Sequence, residues 1–229
     1  MGGAVSGSTP AVRVIPSRED VVSVDAAGGQ EDSQQVADGR MARAERTRRV
    51  VVEAHIALIR AGELKPTGAQ IADRAGGVAA VVVGGISTTR DLFAVTGAEV
   101  MRRQDAMIAP IDADLPLTER LGGAYCRQRA EVLEFIAPFA RSSEIRAPFS
   151  RQLQRNRVWY LHGVRSEAEK LFARELAGLD DVRRREVVQA LGITLTWPTW
   201  VSLRDVMRLS IPDATSVMSR MVGALLTSA

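Results

Sequence analysis

Three side chains in this 229-residue sequence could supply a thiol or imidazole for catalysis: Cys126, His55 and His162. A thiol beside an imidazole is a nucleophile–base pair, so Cys126 with either histidine would suit hydrolysis. The local patterns argue for plainer roles. His55 falls on an apolar stripe with Val51, Val52, Leu58 and Ile59. Cys126 lies within a helical apolar pattern and reads as a small core residue. His162, beside Trp159 and Tyr160, can face either core or pocket. With one cysteine and two histidines no metal-ligand cluster is visible, and neither metal nor cofactor is expected. The lone cysteine excludes an intramolecular disulfide and fits a reducing cytoplasm.

Two further features could bind phosphate. The formal net charge is +3, but its distribution is uneven. Glu19, Asp20, Asp25, Glu31, Asp32 and Asp38 dominate the first part of the chain, and Arg40, Arg43, Arg46, Arg48 and Arg49 follow, opposed only by Glu45. Such a run attracts phosphate or forms a solvated helix face. Residues 78–86, VAAVVVGGI, are β-branched and bounded by glycine. They suit a buried strand entering a phosphate-binding loop, the mark of an α/β nucleotide-binding enzyme. Neither G-x-x-x-x-G-K-[ST] nor G-x-G-x-x-G is present, and a parallel sheet needs several strands.

The elements that position these residues read as helices. Residues 1–40, rich in Gly, Ser, Asp and Gln without a sustained period, are expected to be a disordered tail. Met41 is then a candidate natural start. A helix over 42–61 ends at Gly62. Thr67 followed by Gln70 is a capping box for a short helix that Gly76 and Gly77 stop. Ser87, Thr88 or Thr89 caps the next helix, which opens Arg90-Asp91-Leu92-Phe93. Pro110 and Pro116 bracket a connection. Helices are then expected over 117–137, 149–177 and 181–208, with breaks at Pro138 and Pro148 and a bend at Pro198. Ser210 with Asp213 caps a last helix carrying Val217, Met218, Met221, Val222, Leu225 and Leu226. No apolar run reaches the roughly 18 residues of a membrane span, and no signal peptide pattern opens the chain.

The order basic helix, capped short helix, glycine-ended turn, short element and longer helix opening Asp-Leu-Phe resembles the DNA-binding head of bacterial TetR-type regulators. Arg48, Arg49, Val51, Val52, Ala54, Leu58 and Ile59 look like the family's first helix, and Thr67 holds the Thr before the second. Ile71, Ala72, Ala75 and Gly76 look like its Ile-Ala-x-x-Ala-Gly signature, and Leu92 and Phe93 like the start of its fourth helix. The resemblance implies an all-α protein of about nine helices. After the tail at 1–40 come a homeodomain-like helix-turn-helix domain at 41–97 and a ligand-binding and dimerisation domain at 98–229.

The function so implied is that of a ligand-responsive transcription regulator, most often a repressor, bound to double-stranded operator DNA as a homodimer, with no catalytic role. Arg48, Arg49, Thr67, Gly68 and Ala69 would hold phosphates, and Val78, Ala79, Ala80, Val83, Gly84, Gly85, Thr88 and Thr89 would border the groove. Met101, Tyr125, Phe135, Trp159, Tyr160 and His162 are expected around a cavity for a small apolar or amphipathic ligand. Val187, Leu191, Trp197, Trp200, Met218, Met221, Val222 and Leu225 are expected at a four-helix dimer interface.

Val83, Gly85 and Ile86 stand where the family carries an aromatic, a His and a Phe, and no side chain from 77 to 86 is polar. Direct base reading needs donors and acceptors, which this stretch lacks. An alternative is therefore a helical dimer that senses a ligand or partner without reading DNA. The codons allowed for Gly85, Ile86 and Ser87, read one base earlier, permit His-Phe, and the Val83–Gly85 junctions permit Trp. A frame-shifted stretch would thus hide the family's usual run. Sequencing the gene checks this: the shifted frame is expected to encode an aromatic-x-His-Phe run, and its absence there removes the idea.

Overall fold

The computed structural model describes residues 25–77 and 88–227. Among the described residues there are nine α-helices and no strand. No described helix is long and apolar enough to cross a membrane. The stretch 78–87, which carried the strand reading, lies outside the described residues. Compactness divides the chain between Arg46 and Thr47. In the first unit, residues 38–46 are largely exposed.

Helix α1 spans Asp25–Arg60 and so begins well before residue 42. Residues 25–40, expected as tail, are helical: once a helix is nucleated, each further residue adds a backbone bond at little cost. The change of composition at Met41 therefore does not mark where helix begins. Gly62, at φ 96°, ends α1. Its amide donates to the Ile59 carbonyl, and Glu63 donates to Leu58, the paired bonds of a Schellman close. Helix α2, Gly68–Arg74, repeats this logic. Thr67 and Gln70 form the expected capping box, and Gly76 and Gly77 both take positive φ, with Gly77 donating to Ala72. Of the three candidate caps for α3, Thr89–Asp105, Thr88 is the one used, reciprocally with Asp91.

A π-helical turn, Glu119–Tyr125, leads into α4, Cys126–Arg146. Pro138 lies inside α4 and does not end it. Its ring removes one backbone bond, but Ala137 and Phe139 beside it are buried in two different cores, and that packing holds the helix together. Pro148 does fall at a break, in a short 3₁₀ turn, and Ser150 caps α5, Arg151–Leu171. The long helix expected to 177 pauses at the buried Phe172 before α6, Ala173–Leu176. Likewise the helix expected over 181–208 is three pieces. These are α7, Asp181–Thr194; α8, Trp197–Val201; and a π turn, Ser202–Val206. The break precedes Pro198, which sits in the first turn of α8, where its missing N–H costs nothing. Ser210 caps α9, Ile211–Thr227, through the amide of Asp213.

Two apolar cores result. The smaller joins Val51, Val52, Ile56 and Ile59 of α1, Ile71 of α2, Leu92 and Val100 of α3, and Phe139 of α4. The larger is built by α4 to α9 around Leu133, Phe172, Leu191, Trp200 and Met218. Residue 97, the expected domain boundary, falls inside α3.

Gly192 lets α5 and α7 approach closely, because the stem of Arg165 lies across it. A Cβ there would overlap Arg165 Cγ and stand 2.9 Å from its Cδ. Gly192→Ala is expected to lower stability by about 1–3 kcal/mol, the usual cost of overpacking, measured by urea denaturation against wild type.

Candidate functional site

The expected phosphate-contacting residues surround the smaller core. Arg49, Thr67, Gly68 and Ala69 are exposed, Arg48 is half-buried, and Thr88 is exposed at the start of α3. Thr89 is the first residue of that helix. Val78, Ala79, Ala80, Val83, Gly84 and Gly85 lie outside the described residues. Around this core α1 and α3 are clamped by charge. Arg103 bonds both Glu99 of its own helix and Glu53 of α1. Bonds from Arg102 and Arg103 pull the Glu99 carboxyl down to about 2.

His55 sits wholly inside the smaller core, its Nδ1 2.8 Å from Thr96 Oγ1 of α3. Its Nε2 has no partner among the described residues. Phe93 presents an edge to the imidazole, and Arg146 of α4 lies 4.7 Å over the Phe93 ring. Burial, aided by the Arg146 charge, lowers the His55 pKa to about 4. The imidazole is therefore neutral at ordinary pH. Cys126, by contrast, is buried in the larger core, where burial pushes its thiol up. His162 is exposed on α5. The three groups that could have made a nucleophile–base pair thus lie in three separate surroundings.

The six expected cavity residues are not brought together. Trp159 is 64% exposed, and Met101 and His162 are also exposed. Phe135 packs on the smaller core, beside Phe139 and under Arg60. Only Tyr125 and Tyr160 share a neighbourhood, and the residue that joins them, Arg129, carried no signal in the sequence.

Arg129 of α4 is 4% exposed. Its Nε donates to the Leu195 carbonyl at 2.8 Å and its Nη2 to the Tyr160 hydroxyl at 2.5 Å, with the guanidinium over the Tyr160 ring. A narrow crevice beside it is lined by Ile108, Tyr125, Gln128, Arg129, Val132 and Glu167. The Tyr125 hydroxyl there is buried without a partner. Burial raises the Tyr125, Tyr160 and Glu167 pKa values, with Arg129 opposing in each case. A separate open groove of about 280 Å³ runs between α5 and α7, lined mainly by charged side chains including Arg165, Glu169 and Arg184.

Six of the eight expected interface residues, Val187, Leu191, Trp197, Trp200, Met218 and Val222, are buried in the chain's own larger core. Met221 and Leu225 are half-buried against it. Glu134 accepts from both Trp200 Nε1 and Arg204 Nε, and Arg141 lies over the Trp197 ring, which holds both tryptophans inside. The apolar surface that remains exposed includes Val158, Trp159, Val182 and Ile193. Comparison of the chain with protein-family models, with curated proteins and with solved structures finds no match.

The pH dependence at His55 has a definite sign. Between 6.5 and about 4 the unfolded chain takes up a proton that the folded imidazole refuses. Stability from this group is present above pH 6.5 and falls as pH drops towards 4, by a total on the order of 3 kcal/mol. Denaturation across that range is expected to show the fall, and His55→Gln, which can still bond Thr96 but does not titrate, is expected to flatten it.

Proposed function

We propose that the chain is a ligand-responsive, DNA-binding transcription regulator of TetR type, acting as a homodimer. The observation that carries the reading is the capping around the smaller core. A Thr67 box opens α2, a Gly76–Gly77 close ends it, and a Thr88 box opens α3. Ten residues, 78–87, separate these two caps in the sequence, the spacing that a recognition helix would need. Exposed Arg49 and the exposed start of α2 supply cationic and amide contacts for phosphate. In this mechanism ligand binding among α4 to α7 shifts α3, and the spacing of two heads on DNA changes.

A second reading is favoured by one observation: no side chain from 77 to 86 is polar. On it the protein is a ligand or partner sensor that does not read bases. The dimer in either case would use exposed apolar surface such as Val182 and Ile193 of α7, with Met221 and Leu225 beside it, because the other six expected residues are already enclosed.

Selection of genomic DNA fragments by the purified full chain, at low and moderate salt, separates the two readings. Binding is expected to be weak and steeply salt-dependent, as phosphate contacts dictate, with enrichment of a common sequence on the regulator reading and none on the sensor reading. Arg49→Ala is expected to weaken it uniformly and to reduce the salt slope by about one. No retention at low salt would leave only the sensor reading.

A further inference from the structure

Exposed arginines find carboxylates at several places on this surface: Arg102 pairs with Glu99, Arg174 with Asp114 and Arg183 with Glu186. The first half of α5 is different. Residues 145–166 hold five arginines and no Asp or Glu. Among the described residues no carboxylate pairs with Arg151, Arg155 or Arg157, and Arg155 bonds only the side-chain amide of Gln152, at 2.8 Å. This part of the helix is also uncovered. Glu169 bonds Arg184, and Leu161 and Arg165 lie against Gly192, so α5 and α7 run antiparallel. Helix α7 ends two residues beyond Gly192, at Thr194, and the first turns of α5 run on past it. From Arg151 to Trp159 every side chain except Leu153 is exposed. Neutral bonds hold the helix there: Ser150 accepts from the Leu153 amide, Gln154 donates to the Ala147 carbonyl and Gln152 to Asn156. A cation in the first turn, as at Arg151, works against the helix dipole, so local stability does not account for it.

Helical spacing gives this surface an order. Positions i, i+4, i+8 and i+11 share one face of a helix. Here they are Arg151, Arg155, Trp159 and His162, all exposed. Trp159 is 64% exposed, and Val158 beside it 71%. The face thus carries a row of cations running into a bare indole. Cations without carboxylate partners complement a polyanion, and the indole offers a flat apolar plane. Unpaired nucleic acid presents both counterparts, a phosphate and a flat ring, in every nucleotide. A duplex hides its base faces in the stack, and an anionic bilayer or an acidic peptide has no such ring in each charged unit. We infer that the outer face of α5 binds single-stranded nucleic acid, with phosphates against Arg151 and Arg155 and a base stacked on Trp159. This surface stands apart from the regulator reading, whose phosphate contacts lie on α1 and α2 around the smaller core.

Fluorescence titration of the full chain with an oligothymidylate of about 15 nucleotides tests this. Trp197 and Trp200 are buried, so quenching by a stacked base reports Trp159. Quenching is expected at low salt, with an affinity that falls as salt is added. Changing Arg151 and Arg155 together to Ala is expected to reduce the salt slope by about 1.4, at about 0.7 for each phosphate contact. Trp159→Ala, followed by the anisotropy of a labelled oligomer, is expected to weaken binding about tenfold. All three side chains are exposed, so thermal unfolding of these variants is expected to match wild type. Arg49→Ala, in the head, is expected to leave the quenching unchanged. No quenching at low salt, or an oligomer affinity that Trp159→Ala does not alter, overturns the inference. So does equal or stronger quenching by a duplex of the same length, by polyglutamate or by phosphatidylglycerol vesicles. Quenching without any retention of duplex fragments would sink the regulator reading and leave the stacking face standing. Duplex retention without quenching would do the reverse.

Discussion

Helix α4 gives up solvent on two sides, and the described fold is organised around that. Cys126, Ala130, Leu133 and Ala137 face the larger core, while Phe139 enters the smaller one with Phe135 against it. Each buried aliphatic or aromatic side chain contributes roughly 1.5–3 kcal/mol of transfer free energy. Packing on both sides therefore outweighs the backbone bond lost at Pro138, and the helix continues where its sequence says stop. The same helix sends polar anchors to both cores. Ser142 donates to the Leu64 carbonyl between α1 and α2, and Arg129 to the Leu195 carbonyl at the end of α7.

Buried charge is the second organising cost. Two cationic or imidazole groups have left water on or against α4, Arg129 and His55, and a third, Arg146, is half-buried. His55 meets the cost by staying neutral, since burial beside Arg146 holds its pKa near 4. Arg146 stacks over Phe93, where the ring face offsets part of its desolvation, and burial lowers its pKa. Arg129 donates to the Leu195 carbonyl and the Tyr160 hydroxyl, and Glu167 lines the crevice beside it. Arg120 meets the cost through an ion pair with Glu175.

Local signals in the sequence were read correctly wherever the physics is local. A threonine three residues before a glutamine or aspartate caps a helix by bonds within one turn, as at Thr67 and Thr88. Glycine ends helices at Gly62 and Gly76 because only a residue without Cβ enters positive φ without strain. The apolar spacing of α9 picked out Val217, Met218, Met221, Val222, Leu225 and Leu226, of which Met218, Val222 and Leu226 are buried and the other three half-buried. Periodicity says which face leaves water but not what covers it. Trp197 and Trp200 therefore read as surface for a second chain, when they close the chain's own core.

What only the tertiary structure decided was partnership across long stretches of sequence. Tyr125 ends the π-helical turn that leads into α4 and Phe135 lies within α4, yet they pack on different cores. Arg129 finds Tyr160 and Leu195 at separations of 31 and 66 residues, and no local pattern encodes a meeting at that range. The breaks at Phe172 and Leu195, both buried, have the same origin. Propensity within a turn amounts to tenths of a kcal/mol per residue, and side-chain burial to several times more. The sequence by itself determined the all-helical class and the caps. Burial between distant segments decided where helices run through their own stop signals and which polar groups share an interior.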